Sequence, residues 1–137
     1  MKKLDKNELS QLADSFLNLA QVVGAFRMEY YGQLSPKMQH RIRAQHKTLI
    51  DYADTFYAAS SSFIVADAHR VIEKIQQITI GLKENVKKTK KVQHILNTIG
   101  AATRMGAAII SNQPIAITAS LEEFISSFEK FKAGIKN

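Results

Sequence analysis

The sequence predicts an all-α protein, an antiparallel bundle of four to five helices without strands. Apolar residues recur at alternating steps of three and four in five successive segments, which is the spacing of packed helices. No segment alternates apolar and polar residues as a half-buried strand does. No repeat unit or inter-domain linker divides the 137 residues, so we expect a single helical-bundle domain over residues 1–137.

The first segment has the most regular pattern. Gly32 can end its helix, and Ser35 with Pro36 can begin the second helix as N-cap and first helical residue. The second segment extends from Pro36 to about Ser60, and the serines at 60–62 leave open whether it kinks or continues there. The apolar stripe of the first segment comprises Leu9, Leu12, Phe16, Leu19, Val23, Phe26 and Tyr30.

The later segments repeat the same spacing. Polarity and Asn85 alone separate the third segment from the fourth, because neither proline nor glycine lies between Leu82 and Ile99. Pro114 opens the fifth segment. The stripes of the third, fourth and fifth segments comprise Ile64, Ala68, Val71, Ile75, Ile78 and Leu82; Val92, Ile95, Ile99, Ala102, Gly106 and Ile109; and Ile117, Leu121, Phe124, Phe128, Phe131 and Ile135.

Residues 95–121 form the least charged stretch of the chain, with Arg104 as the single charge. A stretch of about 20 apolar residues is long enough to span a membrane. However, Asn112 and Pro114 lie in its middle, and asparagine tolerates the left-handed conformation after a helix while proline favours a first helical turn. We therefore predict two helices that meet at a tight turn near Ser111 to Pro114 and form a buried hairpin.

Small side chains line one face of this hairpin. Ala102, Gly106 and Ile110 follow one another at intervals of four, so they share a helix face and are candidates for close helix packing. We favour packing inside a soluble bundle; the alternative is a surface that moves into lipid, where similar small-residue contacts occur. With the lysine run 87–91 before it, the hairpin resembles the architecture of helical pore-forming toxins. This resemblance covers a quarter of the chain, contains no specific motif, and would imply membrane activity.

The positive charge is concentrated in two segments. The chain carries +7 with neutral histidines, and the excess lies in residues 36–47 and 83–91. Such segments attract phosphates or anionic surfaces, although lysine-rich helix ends also serve solubility. Phe26, Tyr30 and Tyr31 could add a stacking platform, but the first two already belong to an apolar stripe. The candidate anion-binding residues are Lys37, Arg41, Arg43, Lys47, Lys87, Lys88, Lys90 and Lys91.

Several kinds of chemistry are absent from the sequence. Without cysteine there is no disulfide, thiolate metal site or thiol nucleophile. None of the four histidines has the Glu-x-x-His or HExxH spacing of a bundle metal site. No nucleophile elbow, phosphate-binding loop or dinucleotide fingerprint occurs. We therefore predict a protein that is not an enzyme and that has no cofactor, no metal and no small-molecule substrate.

Two weak candidates for polar chemistry remain. His69 and Glu73 lie one helical turn apart, which we interpret as a surface pair. Asp51 and Asp54 are the carboxylate pair nearest to a histidine, His46, and catalysis there would need a pocket that perturbs their pKa values. The N-terminus lacks the apolar region of a secretion signal, so a cytoplasmic location is expected.

Two functions are compatible with these features. The first is a non-catalytic helical-bundle interaction protein that contacts a second copy or another protein, because its apolar stripes exceed what one small bundle needs. The alternative is a basic module that faces a membrane surface or a nucleic acid, with the 95–121 hairpin as a membrane-active element. Liposome leakage and salt-dependent nucleic-acid binding distinguish these functions.

Overall fold

The computed structural model describes residues 2–59, 63–88 and 92–135. Its helices run in alternating directions, and its buried side chains form one hydrophobic cluster. The predicted all-α bundle is thereby confirmed. The five helices are α1 (Lys6–Glu29), α2 (Pro36–Ala58), α3 (Ala68–Glu84), α4 (Val92–Ile110) and α5 (Pro114–Ile135).

Side chains cap the first two helices. Asp5 and Glu8 form a capping box, in which the Glu8 amide donates to Asp5 Oδ1 at 2.7 Å and the Asp5 amide donates to Glu8 Oε1 at 3.0 Å. Ser35 caps α2 as predicted, accepting a hydrogen bond from the Met38 amide at 3.2 Å, and Pro36 is the first helical residue. These partners satisfy amides that a helix start leaves unpaired.

The second and third helices are separate. The serines 60–62 lie outside the described residues, but α2 ends before them at Ala58 and α3 begins after them at Ala68. Asp67 caps α3 by accepting from the Arg70 amide at 3.2 Å, and Asn85 is the C-cap residue of the same helix. The predicted boundary at Asn85 therefore coincides with the helix end.

A short strand pair joins the N-terminal residues to the connection before α3. Strand β1 (Lys2–Lys3) pairs antiparallel with β2 (Ile64–Val65), and the Leu4 amide donates to the Phe63 carbonyl at 2.9 Å. Asn112 Oδ1 accepts from the Ile64 amide at 2.9 Å and so joins the α4–α5 turn to the same place. The sequence did not reveal this pair, because two residues are too few to show strand alternation.

The turn between α4 and α5 has the predicted form. Asn112 has a φ of 52°, the left-handed conformation expected after a helix end, and Pro114 begins α5. Ile115 is 87% exposed, so the apolar hairpin is not buried throughout. Among the helices of the described ranges, none combines the length and the hydropathy that a membrane crossing needs.

Two antiparallel hairpins make up most of the bundle, α1 with α2 and α4 with α5. Helix α2 also packs on α4, whereas α3 packs mainly against α1 and α5. In the antiparallel bundle that the sequence predicts, consecutive helices joined by short connections would be neighbours. The connections 59–67 and 85–91 are instead long enough for α3 to pack mainly against α1 and α5 rather than against α2 and α4, its neighbours in sequence.

The predicted stripe of α1 lies at the centre of the core. Phe16 packs against Phe56, with ring centroids 5.6 Å apart, and edge-to-face against Tyr52 at 5.7 Å. Such aromatic pairs add to the stabilisation from burial alone. Five stripe residues are at most 1% exposed: Leu12, Phe16, Leu19, Val23 and Phe26.

Candidate binding surfaces

Most described cationic residues of the two basic segments lie in the same half of the bundle. This half, in which α1 ends and α2 begins, is called the basic half below. The Tyr30 hydroxyl donates to the Val86 carbonyl and so holds the basic turn after α3 beside the end of α1. Its described cationic residues are Arg27, Lys37, Arg41, Arg43, Lys83, Lys87, Lys88, Lys130 and Lys132, against the acidic residues Glu29, Glu84 and Glu129.

The other half, called the acidic half, carries the remaining carboxylates. Its acidic residues are Asp5, Glu8, Asp14, Asp51, Asp54, Asp67, Glu73, Glu122 and Glu123. The Tyr57 hydroxyl donates there to Asp14 Oδ1 and links α2 to α1. This hydrogen bond, with partial burial and the charges of Asp14 and Asp54, raises the pKa of Tyr57 because each favours the neutral phenol.

The predicted anion-binding residues have different surroundings. Lys37, Arg41 and Arg43 are exposed on α2, and Lys47 is an exposed residue paired with Asp51 at 3.1 Å. Lys87 and Lys88 are exposed in the short 3₁₀ turn Val86–Lys88, whereas Lys90 and Lys91 lie outside the described residues. Of the aromatic candidates, Tyr31 is exposed, while Phe26 and Tyr30 are buried.

Three nitrogen donors converge above Gly100 on α4. A Cβ at Gly100 would lie 3.5 Å from Arg104 Nη1, 3.6 Å from Arg41 Nη2 and 3.7 Å from Gln45 Nε2. Arg104 also donates through Nη2 to Glu123 on α5, whereas Arg41 has no ion pair or hydrogen bond with any described residue. Gln45 Oε1 is buried and has no hydrogen-bond partner within the described ranges.

The Tyr52 ring of α2 covers the predicted packing face of α4. Ala102 and Gly106 are buried and Ile110 is half-buried. A Cβ at Gly106 would overlap the Tyr52 ring of α2, whose hydroxyl donates to the Thr103 carbonyl at 2.8 Å. Burial raises the pKa of Tyr52, because it disfavours the charged phenolate. An aromatic ring therefore fills the space that the missing side chain leaves.

The outer face of α3 lies between two grooves. The groove between α1 and α3 has a volume of about 820 Å³, and the groove between α3 and α5 about 410 Å³. Ile80 lines both grooves and is 57% exposed. The floor of the larger groove includes Ser15 and Thr79, whose buried hydroxyls donate to helix carbonyls of their own helices at 2.7 and 2.6 Å.

Comparisons of the chain with protein-family models, with curated proteins and with solved structures found no match. Functional proposals for this protein therefore depend on its own residues and their arrangement.

The polar pairs considered from the sequence lie apart from these surfaces. His69 Nε2 and Glu73 Oε2 are 3.2 Å apart on the exposed face of α3, as the surface-pair interpretation expects. Asp51 binds Lys47, and the His46 ring lies against Gly24 of α1. In the described part of the chain, no three side chains of the kinds that hold metal ions come together.

Sequence reasoning missed the donors above Gly100 and the close contact at Gly81. A Cβ at Gly81 on α3 would overlap Cζ of Phe128 on α5, so this glycine lets α3 approach α5. Both sites combine residues from helices far apart in sequence, and helical periodicity carries no information about such partners. The glycines themselves were the available signal, because glycine inside a helix costs about 1 kcal/mol relative to alanine and needs a reason.

Proposed function

We propose that the protein is a non-catalytic interaction module that associates with a second copy of itself through the outer face of α3. The observation that carries this proposal is a stripe of exposed residues that continues the spacing of packed helices on the solvent side. Ile80 is its apolar centre, 57% exposed and positioned beside both grooves. The stripe comprises Glu73, Gln76, Ile80 and Lys83.

The stripe is complementary to itself in an antiparallel arrangement. With a two-fold axis midway between Gln76 and Ile80, Glu73 of one copy faces Lys83 of the other, and each Gln76 faces an Ile80. The same patch then serves both copies, as a two-fold interface requires. This match between acidic and basic positions favours a second copy over an unrelated helix as the occupant.

The grooves beside α3 provide the space for this contact. In the antiparallel register, Ile80 of each copy enters the α1–α3 groove of the other and meets the side chains of Val22 and Gln76. Burying a side chain of this size contributes about 1.5–3 kcal/mol, and the two-fold axis supplies two such contacts. The Glu73–Lys83 pairs contribute less affinity, since exposed ion pairs are worth about 0–1 kcal/mol, but they fix the register.

Replacing Ile80 with glutamate is expected to abolish this association, because the substitution places a carboxylate in an apolar contact. Light scattering after size exclusion over a series of concentrations measures the mass, and the wild-type mass should rise towards twice 15.3 kDa. Ile115→Glu is the matched control, since Ile115 is also exposed but lies at the start of α5. A wild-type protein that stays monomeric at every concentration would contradict the proposal.

A charge exchange tests the register separately. Glu73→Lys and Lys83→Glu should each weaken association, because each places like charges opposite one another, and the double variant should restore it. A double variant weaker than either single variant would show that the copies do not meet in this register.

A second candidate function, binding of a polyanion, is favoured by the described cationic residues of both basic segments, most of which lie in one half of the bundle. Reversing the charges of Lys87, Lys88, Lys90 and Lys91 should weaken binding of duplex DNA uniformly across sequences, and binding of anionic vesicles as well. Reversal of Lys3 and Lys6 in the acidic half is the control. Affinity that survives both the reversal and about 0.5 M salt would exclude an electrostatic contact.

A further inference from the structure

We propose that Arg41, Gln45 and Arg104 bind a single phosphate group above Gly100. The two guanidinium groups and the amide come from α2 and α4, and a nitrogen of each lies within 3.7 Å of the same point. That point is the position of the side chain that Gly100 lacks. The donors therefore surround a small space on the surface where α2 packs on α4.

Among the described residues, only one of the two guanidinium groups in this cluster has an anionic partner. Glu123 accepts from Nη2 of Arg104 and neutralises one guanidinium group, but its contact leaves Nη1 directed at Gly100. Arg41 has no anionic partner among the described residues. Two guanidinium groups this close repel each other, and a bound anion would convert that repulsion into two attractive contacts.

Hydrogen bonding in the cluster is also incomplete. Gln45 Oε1 is buried without a partner in the described part of the chain, and because it is an acceptor, an anion cannot supply its missing hydrogen bond. The Nε2 of Gln45 faces the same space and can donate to an anion. A ligand oxygen in this space would accept a hydrogen bond from Gln45 Nε2.

A phosphate group fits these donors better than a halide or a single carboxylate. Its tetrahedral oxygens can accept from several directions at once, and its negative charge complements the Arg41 guanidinium group, which has no anionic partner among the described residues. The planar fork of arginine is suited to phosphate oxygens, which accept two parallel hydrogen bonds from it. Arg41 belongs to the basic half, whose excess of cations would raise the local concentration of anions on that side of the site.

Gly100 provides the most direct test of the site. The nearest heavy atoms to an added Cβ lie at ordinary contact distances of 3.5 Å or more, so Gly100→Ala fits without displacing a neighbour. Alanine is also the better helix former. Its methyl group, however, occupies the space enclosed by the three donors, so this variant should stay folded and lose the ligand.

The experiment titrates inorganic phosphate into the full-length protein by calorimetry, against chloride at the same ionic strength, and follows the melting temperature in both salts. Wild type should bind phosphate and melt at a higher temperature in it. Arg41→Gln and Gly100→Ala should weaken phosphate binding by about tenfold or more. Lys37→Gln, which removes an equal charge one helical turn earlier on α2, should bind phosphate as wild type does.

Three results would overturn the proposal. The first is equal stabilisation by phosphate and chloride, and the second is a loss of binding in Lys37→Gln as large as in Arg41→Gln, which would indicate diffuse attraction. The third is binding to vesicles that contain phosphatidic acid without binding to inorganic phosphate, which would assign the surface to a membrane. Measuring phosphate binding on the Ile80→Glu variant as well separates this site from self-association, because the site needs only one copy.

Discussion

Replacing Phe16 with alanine is expected to lower the free energy of unfolding by about 3–5 kcal/mol, the usual cost of removing a buried phenylalanine ring. Phe16 is 0% exposed and contacts the rings of both Phe56 and Tyr52 on α2. The substitution therefore leaves a cavity between α1 and α2, where the neighbouring rings can close only part of the space.

Denaturant unfolding of both proteins measures this difference. Met28→Ala is the control on the same helix, because Met28 is 82% exposed and its loss should change stability by less than about 0.5 kcal/mol. A loss below about 1 kcal/mol for Phe16→Ala would show that the α1 stripe is not the centre of the core.

Gly106→Leu is also expected to destabilise the protein, but by overpacking the core rather than by leaving a cavity in it. An added Cβ overlaps carbons Cδ2 and Cε2 of the Tyr52 ring, so the ring must move. Tyr52 is held by its hydrogen bond to Thr103 and by its contact with Phe16, so displacement disturbs both helices of the α1–α2 hairpin. Overpacking costs about 1–3 kcal/mol, and loss of the hydrogen bond adds about 0.5–1.5 kcal/mol.

Alanine scanning of α4 provides the controls for this prediction. Gly106→Ala should destabilise despite its better helix propensity, whereas Gly100→Ala should leave the unfolding free energy equal or higher. Arg104→Ala should have a small effect of about 0–1 kcal/mol, since its ion pair with Glu123 is half exposed. If Gly106→Leu leaves solution stability unchanged and alters liposome binding instead, this face acts in lipid and the packing interpretation is wrong.

Local signals explain which parts of the fold could be predicted from the sequence. The stripe from Leu12 to Phe26 defines the buried face of α1. Ser35 and Pro36 define the start of α2, and Asn112 and Pro114 define the turn between α4 and α5. Each of these features depends on neighbours in sequence, so the sequence contains the information needed to place it.

Other features depend on which helices meet, and sequence spacing does not determine that. Arg41 was identified as basic, but its position above Gly100 follows from the packing of α2 on α4. Arg104 is the single charge of residues 95–121 in the sequence, and the position of α5 supplies Glu123 as its partner. The outer stripe of α3 was hidden in the sequence for a related reason, because Glu73, Gln76 and Lys83 are polar and give no hydrophobic periodicity.

The separation of charge along the bundle gives the molecule an electric dipole as well as a net charge. Helix α1 has 24 residues and is about 36 Å long, whereas electrostatic interactions in physiological salt are screened over about 8 Å. A charged partner that binds at one half is therefore nearly unaffected by the charges of the other half. The net charge of +7 describes neither half. In the antiparallel pair that we propose, the basic half of each copy would lie beside the acidic half of the other, so the two dipoles would oppose each other.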